Sequence, residues 1–465
     1  MPIESAAAED RDLLEPLSET AAPQGPDRSR RSVALGTHPQ IVSPAPLCYT
    51  SAFPDDRRAG SFTSGAGPYD SIKGVTLNAK QRVLDTLARD AGQQGWRHTL
   101  AEIFQQPELW RRTTDDCASV ARRHLEQIRR SQVVVLTGSG SSHYVGECIA
   151  PAIQRGTGRT TAALGSGELI LARRELLPAQ RPLMLVSFTR SGNSPESGAL
   201  ISACLKQEPS VEHLVLTCNP SGHVARQWGG GTDSRVTVEV LDPRTCDKSL
   251  VMTSSFTNLA LAGLALGYSE SPEAYLQHAE ALVGVGVDLL ENWTARLESI
   301  ARQRFGRMIA LGSGGQFGAA RESSLKMLEM TDGRVATLAE SWLGFRHGPM
   351  CSLRDGCLLL LCFSRERAKC AYQLDVLREI RAKGLGGTVV AVGRRIPREL
   401  LSDGDLLVDP PGLSELPDEW AALAQTVIGQ LLGFFRCLDE GLQPDQPAGS
   451  GAISRVVPAF QFYRA

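Results

Sequence analysis

Three ionisable residues, Glu322, Lys326 and Glu329, are spaced so that a helix would carry them along one face. In an average helix this spacing describes a solvated surface with one Glu–Lys pair, which contributes little to stability. Most of the neighbouring positions are apolar, namely Leu325, Met327, Leu328 and Met330. Because these residues make the helix apolar on its other sides, we expect the two carboxylates and the amine to be partly buried in a site.

A histidine follows in the segment SWLGFRHGPM, which is too rich in glycine and proline to be helical. In such a turn, His347 could be a buried, hydrogen-bonded histidine that takes no part in chemistry. Alternatively, a glutamate and a histidine held near a bound phosphate form an acid/base pair that can move protons on a sugar.

A hydroxyl-rich segment begins where the apolar run LMLVSF ends and a helix is predicted to start. It brings the hydroxyls of Thr189, Ser191 and Ser194 close to free backbone N–H groups at a positive helix end, which is a cradle for phosphate. An ordinary capped turn would also use serine or threonine. Capping requires only one such residue, whereas this segment has three hydroxyls together with Arg190 and Gly192, so we favour phosphate binding.

A second turn, Gly138-Ser-Gly-Ser-Ser142, also lies between a predicted strand and a helix. A dinucleotide site would require a third glycine where His143 stands, and an acidic residue after the next strand, which is missing. The sequence contains no nucleotide-triphosphate loop of the G-x-x-x-x-G-K-[ST] type, and its cysteines and histidines lack the spacing of a zinc site. We therefore expect chemistry that uses side chains without a cofactor or metal.

Short apolar runs alternate with helices from about residue 112 to residue 268. Runs such as VVVLTG, LMLVSF and HLVLTC are typical of strands buried on both faces, and they predict a doubly wound α/β domain with a parallel sheet. The same order returns later, because MIALGSGG matches VVVLTGSGS and LLLLCFSRERA matches LMLVSFTRSGN. Gly138 and Gly312 are 174 residues apart, and Phe188 and Phe363 are 175 apart, which indicates an internal duplication.

The duplicated phosphate loop has changed in the second half. Glu366 stands in place of Ser191, and Arg367 in place of Gly192. Because a carboxylate would repel phosphate, we expect one phosphate site per pair of halves. The predicted domains are a disordered extension (1–77), N-terminal helices (78–111), a phosphate-binding domain (112–268), a helical connector (269–302), a domain with the acid/base residues (303–440) and a C-terminal tail (441–465).

Composition excludes several classes of protein. Hydrophobic residues make up 42% of the 465 residues and charged residues 22%, which is ordinary globular usage. The net charge of −2 argues against a nucleic-acid partner. The 11 cysteines are scattered, as in a protein with reduced thiols, and no signal or membrane segment is evident, so we expect a cytoplasmic protein that does not bind membranes.

These motifs carry a family resemblance over about residues 95 to 465. The segments GSGSS, SGNSPES, TCN, MTSS, GSGG-x-x-GAARESSLK-x-LE and GFRHGP resemble the AgaS family of tandem sugar isomerase (SIS) proteins, with RESSLK and FRHGP the most specific. The resemblance implies two flavodoxin-like SIS domains and a galactosamine-6-phosphate deaminase/isomerase, also described as a tagatose-6-phosphate ketose/aldose isomerase. The chain is more distantly similar to the isomerase half of glucosamine-6-phosphate synthase.

By motif, the resemblance implies roles for single residues. Ser142, Thr189, Ser191 and Ser194 would hold the 6-phosphate, and Thr253 would contact the sugar. Glu329 would shuttle a proton between C1 and C2, with Glu322 and Lys326 completing its network. His347 would open the sugar ring from the partner subunit, so we expect at least a homodimer with shared sites.

Two departures from the family bear on the reaction. Lys248 stands where the family has arginine, and the segment SGAISRVV lacks the lysine with which the synthase forms a Schiff base. The chain also has no cysteine after Met1 and no glutaminase domain to supply ammonia, so release of ammonia is the expected direction. A plain aldose/ketose isomerase and a sugar-phosphate-sensing regulator remain as alternatives.

Overall fold

The structure is a computed structural model that describes residues 78–89, 94–458 and 461–463. The predicted disordered extension, residues 1–77, lies outside the described residues. The described chain forms two five-stranded parallel sheets within one compact unit. The strands are β1 (Val133–Gly138), β2 (Thr160–Gly165), β3 (Leu183–Thr189), β4 (Val211–Thr217), β5 (Val236–Val240), β6 (Arg307–Gly312), β7 (Ala336–Ser341), β8 (Cys357–Cys362), β9 (Thr388–Val392) and β10 (Leu406–Val408).

Helices surround and connect the two sheets. They are α1 (Asn78–Arg89), α2 (Arg97–Phe104), α3 (Gln106–Arg130), α4 (Ser141–Thr157), α5 (Ser166–Leu176), α6 (Pro195–Gln207), α7 (His223–Trp228), α8 (Ser254–Gly267), α9 (Pro272–Asp288), α10 (Thr294–Ala301), α11 (Gly315–Met330), α12 (Arg367–Ala382) and α13 (Asp418–Asp439). Short π and 3₁₀ turns, among them Leu289–Trp293 and Gly344–Arg346, lie between them.

The two sheets have the same topology, which confirms the predicted pair of doubly wound, flavodoxin-like folds. The first has the order β2-β1-β3-β4-β5 and the second the order β7-β6-β8-β9-β10. The register is duplicated as well, because Val133 pairs with Leu183 in the first sheet and Arg307 pairs with Cys357 in the second. The central strands β1, β3 and β8 are buried throughout, which explains their unbroken apolar runs.

Glycines shape the equivalent turns after β1 and β6. Gly140 and Gly314 adopt φ values of 55° and 57°, which glycine adopts without steric cost. A Cβ atom on Gly138 would lie 2.6 Å from the backbone of Ser142, and one on Gly312 would lie 2.2 Å from the carbonyl oxygen of Gln316. The two turns can therefore fold tightly enough for each helix to start directly at the sheet edge.

Helices α4 and α11 cross at close range between the two sheets. The crossing requires Gly315 and Gly318, since Cβ atoms there would lie 2.4 Å and 2.6 Å from the backbone of Cys148. Arg321 of α11 donates a hydrogen bond to Glu147 of α4 at the same crossing. These two residues occupy equivalent positions, nine residues after the glycines that end β1 and β6. The crossing brings α11 of the second half to the edge of the first sheet.

Helix α13 forms the centre of the core and packs along α11. By length and by a mean hydropathy of 1.4 it could cross a membrane, but its whole apolar stretch is buried in the protein. Gly429 allows the close approach, because a Cβ atom there would lie 2.3 Å from the hydroxyl oxygen of Ser323. We therefore interpret α13 as a core helix that fixes the position of α11.

Candidate active site

A cavity of about 300 Å³ lies at the carboxyl edge of the first sheet. Loops that follow β1 and β3 form one side of it, Glu329 of α11 forms another, and a segment near the C-terminus covers part of it. Its volume lies at the lower end of the range for small-molecule sites. The lining residues are Ser139, Gly140, Ser141, Ser142, Phe188, Thr189, Arg190, Ser191, Ser194, Glu196, Ser197, Leu250, Met252, Glu329, Ala452, Ile453, Ser454, Arg455, Val457 and Pro458.

Hydrogen bonds from within the loop and from Asn219 fix the shape of the hydroxyl-rich loop after β3. The hydroxyl of Thr189 accepts a 3.0 Å bond from the N–H of Gly192, and the side chain of Asn219 donates to the carbonyl of Ser191 at 2.9 Å. Ser194 is the N-cap residue of α6, yet its side chain makes no capping hydrogen bond. The capped-turn alternative therefore does not account for this hydroxyl, which faces the cavity at a positive helix end.

Arg190 connects three parts of the site. Its guanidinium donates to the carbonyl oxygens of Ser249, Leu250 and Val251 at 2.9–3.2 Å, and to that of Arg455 at 2.7 Å. Burial lowers its pKa from the ordinary value, while Asp247 acts to raise it. Although Arg190 lines the cavity as predicted, four carbonyl oxygens hold the guanidinium. Its evident role is to hold the loop at 249–251 and the C-terminal segment against the phosphate loop.

The predicted cluster on α11 forms a continuous ionic network. Lys326 is fully buried, and its amine donates to the Ser141 hydroxyl at 3.0 Å and to the carboxylate of Glu329. The same amine lies 3.3 Å from Oε1 of Glu322, which is also fully buried. Glu329 alone among the three lines the cavity. The predicted common face is confirmed, and it runs from the interior to the cavity.

Burial and charge oppose each other within this network. Burial raises the pKa of Glu322 to about 7, although Lys326 lowers it, and Glu329 raises it further. For Lys326, burial lowers the pKa, but the two carboxylates outweigh it and raise the pKa overall. A buried amine that remains charged beside Glu329 can offset negative charge that develops during a proton transfer.

Thr253 lies beneath the cavity and does not line it. The residue is fully buried, and its N–H and hydroxyl donate to the carboxylate of Asp247 at 2.8 Å and 3.3 Å. Asp247 also accepts bonds from the N–H groups of Ser254 and Ser255, so it orders the start of α8. The predicted contact of Thr253 with a sugar stays a prediction.

His347 does not line the cavity of its own chain. It follows the 3₁₀ turn Gly344–Arg346 after β7, and it is exposed. The alternative of a buried, hydrogen-bonded histidine therefore does not describe it. The predicted role of His347 in the site of a partner subunit stays a prediction.

Sequence patterns did not reveal Asp247, Glu196 and Arg455. The Arg455 guanidinium donates to the carbonyl oxygen of Asp247 at 2.9 Å, and its own carbonyl accepts from Arg190. Glu196 lines the cavity next to the phosphate loop, and one of its oxygens is buried without a hydrogen-bond partner. Among the described residues, no group of three or more His, Cys, Asp and Glu side chains is placed to hold a metal ion.

The fold and the cavity together define a sugar isomerase-type protein with two SIS halves. In sequence, the chain is 35% identical over 369 residues to an AgaS protein of Streptomyces coelicolor, covering 77% of this chain and 94% of that protein. It is 32% identical over 370 residues to D-galactosamine-6-phosphate deaminase AgaS of Escherichia coli, with the same coverage. The chain therefore belongs to the AgaS family. A scan against models of protein families finds no match.

Solved structures agree with this assignment. The crystal structure of tagatose-6-phosphate ketose/aldose isomerase from Escherichia coli superposes with a TM-score of 0.68 at 30% identity, covering 75% of this chain and 95% of that chain. Glucosamine-6-phosphate deaminase from Thermotoga maritima superposes with a TM-score of 0.59 at 20% identity, covering 77% of this chain and 99% of that chain. At that lower identity, the second likeness shows the shared fold alone.

Proposed function

We propose that this protein is a deaminase/isomerase acting on an amino-sugar 6-phosphate, and that it converts D-galactosamine 6-phosphate and water into D-tagatose 6-phosphate and ammonia. The observation that carries the proposal is the position of Glu329, which faces the same cavity as the Ser191 loop while bound to Lys326. The cavity thus combines a hydroxyl-lined anion cradle with a carboxylate able to accept a proton.

The reaction begins with the phosphate. Ser142, Thr189, Ser191 and Ser194 hold it, and the binding energy keeps the opened sugar in reactive geometry. Arg190 contributes by holding the surrounding loops together. Because the phosphate is far from the reacting carbons, removal of one hydroxyl should weaken binding more than the chemical step.

Glu329 then moves the proton. It removes the C2 proton of the open-chain amino sugar while O1 takes up a proton, which gives the enolamine. It then returns the proton to C1 while the nitrogen gives up one of its own, so that the C1 aldehyde becomes an alcohol and the C2 amine becomes an imine. The Lys326 ammonium offsets the negative charge that builds up on the enolamine between these steps. Water adds to the C2 imine, the C–N bond breaks, and ammonia leaves with the ketose phosphate as the other product.

His347 of the partner subunit is proposed to open the sugar ring, which makes each active site a shared one in a homodimer or larger oligomer. Support comes from its exposure and from its absence from the lining of the cavity of its own chain. Mixing the variants Glu329→Gln and His347→Ala tests this point. Mixed dimers would regain one complete site and measurable turnover, whereas no recovery would place both residues in the same chain.

The test of the reaction is a parallel assay of ammonia and ketose from galactosamine 6-phosphate. Equal amounts of both products are expected, and dephosphorylated galactosamine should react far more slowly. Tagatose 6-phosphate serves as the second substrate, because conversion to an aldose without nitrogen would instead identify a plain isomerase. Binding of the sugar phosphates without any product would indicate a sensing protein and overturn the proposal.

A further inference from the structure

A second cavity lies at the carboxyl edge of the other sheet, next to the loop after β8, which corresponds to the phosphate loop after β3. It has a volume of about 130 Å³ and is formed by the residues that follow β8 and β9 and by the loop before α13. The first cavity is likewise formed by a loop after β3 and by the loop before α8. The duplicated fold therefore contains a second recess at its ligand-binding edge.

The phosphate cradle itself is occupied in this half by a carboxylate of the chain. Oδ2 of Asp418 accepts a 2.6 Å bond from the Ser364 hydroxyl, and its Oδ1 accepts one of 3.1 Å from the N–H of Arg365. Asp418 begins α13 and also lies 3.5 Å from the amine of Lys369. A ligand anion would therefore bind outside the cradle, where the lining is rich in arginine.

Three arginines line this cavity: Arg365, Arg394 and Arg395. Arg394 lies 3.7 Å from Glu415, and both side chains are well exposed. Within the described residues, neither Arg365 nor Arg395 forms an ion pair, and Arg365 donates only to a neutral carbonyl, that of Glu415 at 2.5 Å. Neither guanidinium is therefore neutralised by a direct ion pair, although Glu415 and Asp418 also line the cavity, and both remain able to bind the doubly negative group of a phosphate monoester.

The floor of the cavity carries an unused hydrogen-bond acceptor. Gln425 lies two turns into α13, it is 1% exposed, and its Oε1 has no hydrogen-bond partner. Burial of such an oxygen without a partner is costly, so its occurrence beside a cavity points to a donor that is supplied by a ligand. The complementary group is a hydroxyl attached to the same molecule as the anion.

We propose that this cavity is a second ligand site, which binds a small phosphate monoester of a polyol or sugar. Arg365 and Arg395 hold the phosphate, with Arg394 at the rim, and Oε1 of Gln425 accepts a hydrogen bond from a hydroxyl of the ligand. The volume is well below the ~300–1,000 Å³ of sites for drug-sized ligands, which favours a small ligand.

The site is distinct from the substrate cavity, but side chains of α13 contact the surroundings of both. Gln425 is on the same helix as Gln430, whose side chain donates to the carbonyl of Thr253 at 3.2 Å beneath the substrate cavity. Gln430 in turn accepts a 2.8 Å bond from Gln106.

Binding stoichiometry tests the proposal independently of the reaction. Inorganic phosphate and galactosamine 6-phosphate are titrated against the wild-type chain, the variant Ser191→Ala/Ser194→Ala and the variant Arg365→Gln/Arg394→Gln/Arg395→Gln. We expect two sites per chain in the wild type and one in each variant. One site in the wild type, or no remaining phosphate binding in the serine variant, would overturn the proposal, whether or not the protein releases ammonia.

Two controls test whether a loss of binding reflects the loss of specific contacts, and not a change in net charge or in folding. The variant Arg129→Gln/Arg302→Gln/Arg378→Gln removes three exposed arginines elsewhere and should keep both sites. The variant Gln425→Met keeps the volume of the side chain and removes its acceptor. It should weaken galactosamine 6-phosphate at the second site about tenfold while phosphate binding is unchanged. Equal losses for both ligands, with an unchanged unfolding temperature, would contradict the role of Gln425.

Discussion

The loops after β3 and β8 hold equivalent positions in the two halves of the fold. They differ in what lies in front of them. In the first half, Ser191 and Ser194 face an open cavity, and the N-cap side chain makes no capping bond. In the second half, Asp418 fills the equivalent place and is bound by Ser364 and the N–H of Arg365. The comparison shows that the same backbone turn can remain open to a cavity or have its hydrogen-bond donors satisfied by a carboxylate of the chain.

The helices α4 and α11 also differ, because here it is the second half that carries the functional groups. The positions of Glu322, Lys326 and Glu329 on α11 correspond, at the same offset of 174, to Cys148, Ala152 and Arg155 on α4. Ionisable groups able to transfer protons therefore lie on the helix of the second half, and the open cradle lies in the first. Each half thus carries groups that the other half lacks at the corresponding positions, and one cavity combines them.

The sharpest test of this division is Glu329→Gln. The variant keeps the shape of the side chain but cannot accept a proton, so kcat should fall about 10²–10⁴-fold while sugar-phosphate binding persists. Steady-state kinetics and calorimetric titration measure the two quantities. Near-normal turnover would remove Glu329 from the mechanism, and the surface variant Glu298→Gln should behave as the wild type.

Glu322→Gln probes the buried end of the network. Because the pKa of Glu322 is raised to about 7, the folded state retains a proton that the unfolded state releases from about pH 4.5 upwards. The free energy of unfolding should therefore fall as pH rises from 4.5 to 7, by on the order of 2 kcal/mol from this group. Urea unfolding across this range should show a smaller fall in the variant. A fall equal to that of the wild type would contradict the assignment.

Ser191→Ala addresses the open cradle. Loss of one hydroxyl should raise KM about tenfold and leave kcat within about twofold, because phosphate binding precedes the chemistry. Ser364→Ala, in the equivalent loop of the second half, is the matched control and should leave KM unchanged. If both variants raised KM equally, the functional difference between the two loops would not exist.

The smallest expected effect concerns Asp418, which is bound by the loop after β8. Asp418→Asn weakens the bonds from Ser364 and Arg365, and it should lower the free energy of unfolding by about 1 kcal/mol without changing KM. Chemical denaturation and initial rates over a range of phosphate ester concentrations measure these quantities. An increase in KM comparable to that of Ser191→Ala would mean that Asp418 acts on the substrate site.

The sequence predicted those features that depend on local pattern. The runs VVVLTG and CLLLLC predicted buried parallel strands, and the matching glycines after β1 and β6 predicted the duplication, since both follow from short-range backbone and burial requirements. The common face of Glu322 and Glu329 followed from helical periodicity alone. These predictions were confirmed by the topology and by the ionic network.

Features that depend on long-range contact could not be predicted. Arg455 reaches Asp247 from 208 residues away, and nothing in the surrounding sequence marks either residue as a partner. Arg190 was expected to bind phosphate, but the carbonyl groups that hold its guanidinium come from distant loops. Asp418 likewise meets Ser364 only because α13 starts at that edge of the sheet.

The hydrogen bond between Arg321 and Glu147 bears on the origin of the chain. If the two halves derive from a half-length protein that paired with itself about a twofold axis, this position would have faced its own copy, and two identical charges would have repelled each other. Once the gene had been duplicated, one copy could acquire an acid and the other a base at this position. The pair is thus a mark of divergence after duplication, and a separately expressed half that pairs with itself should be unable to rebuild it.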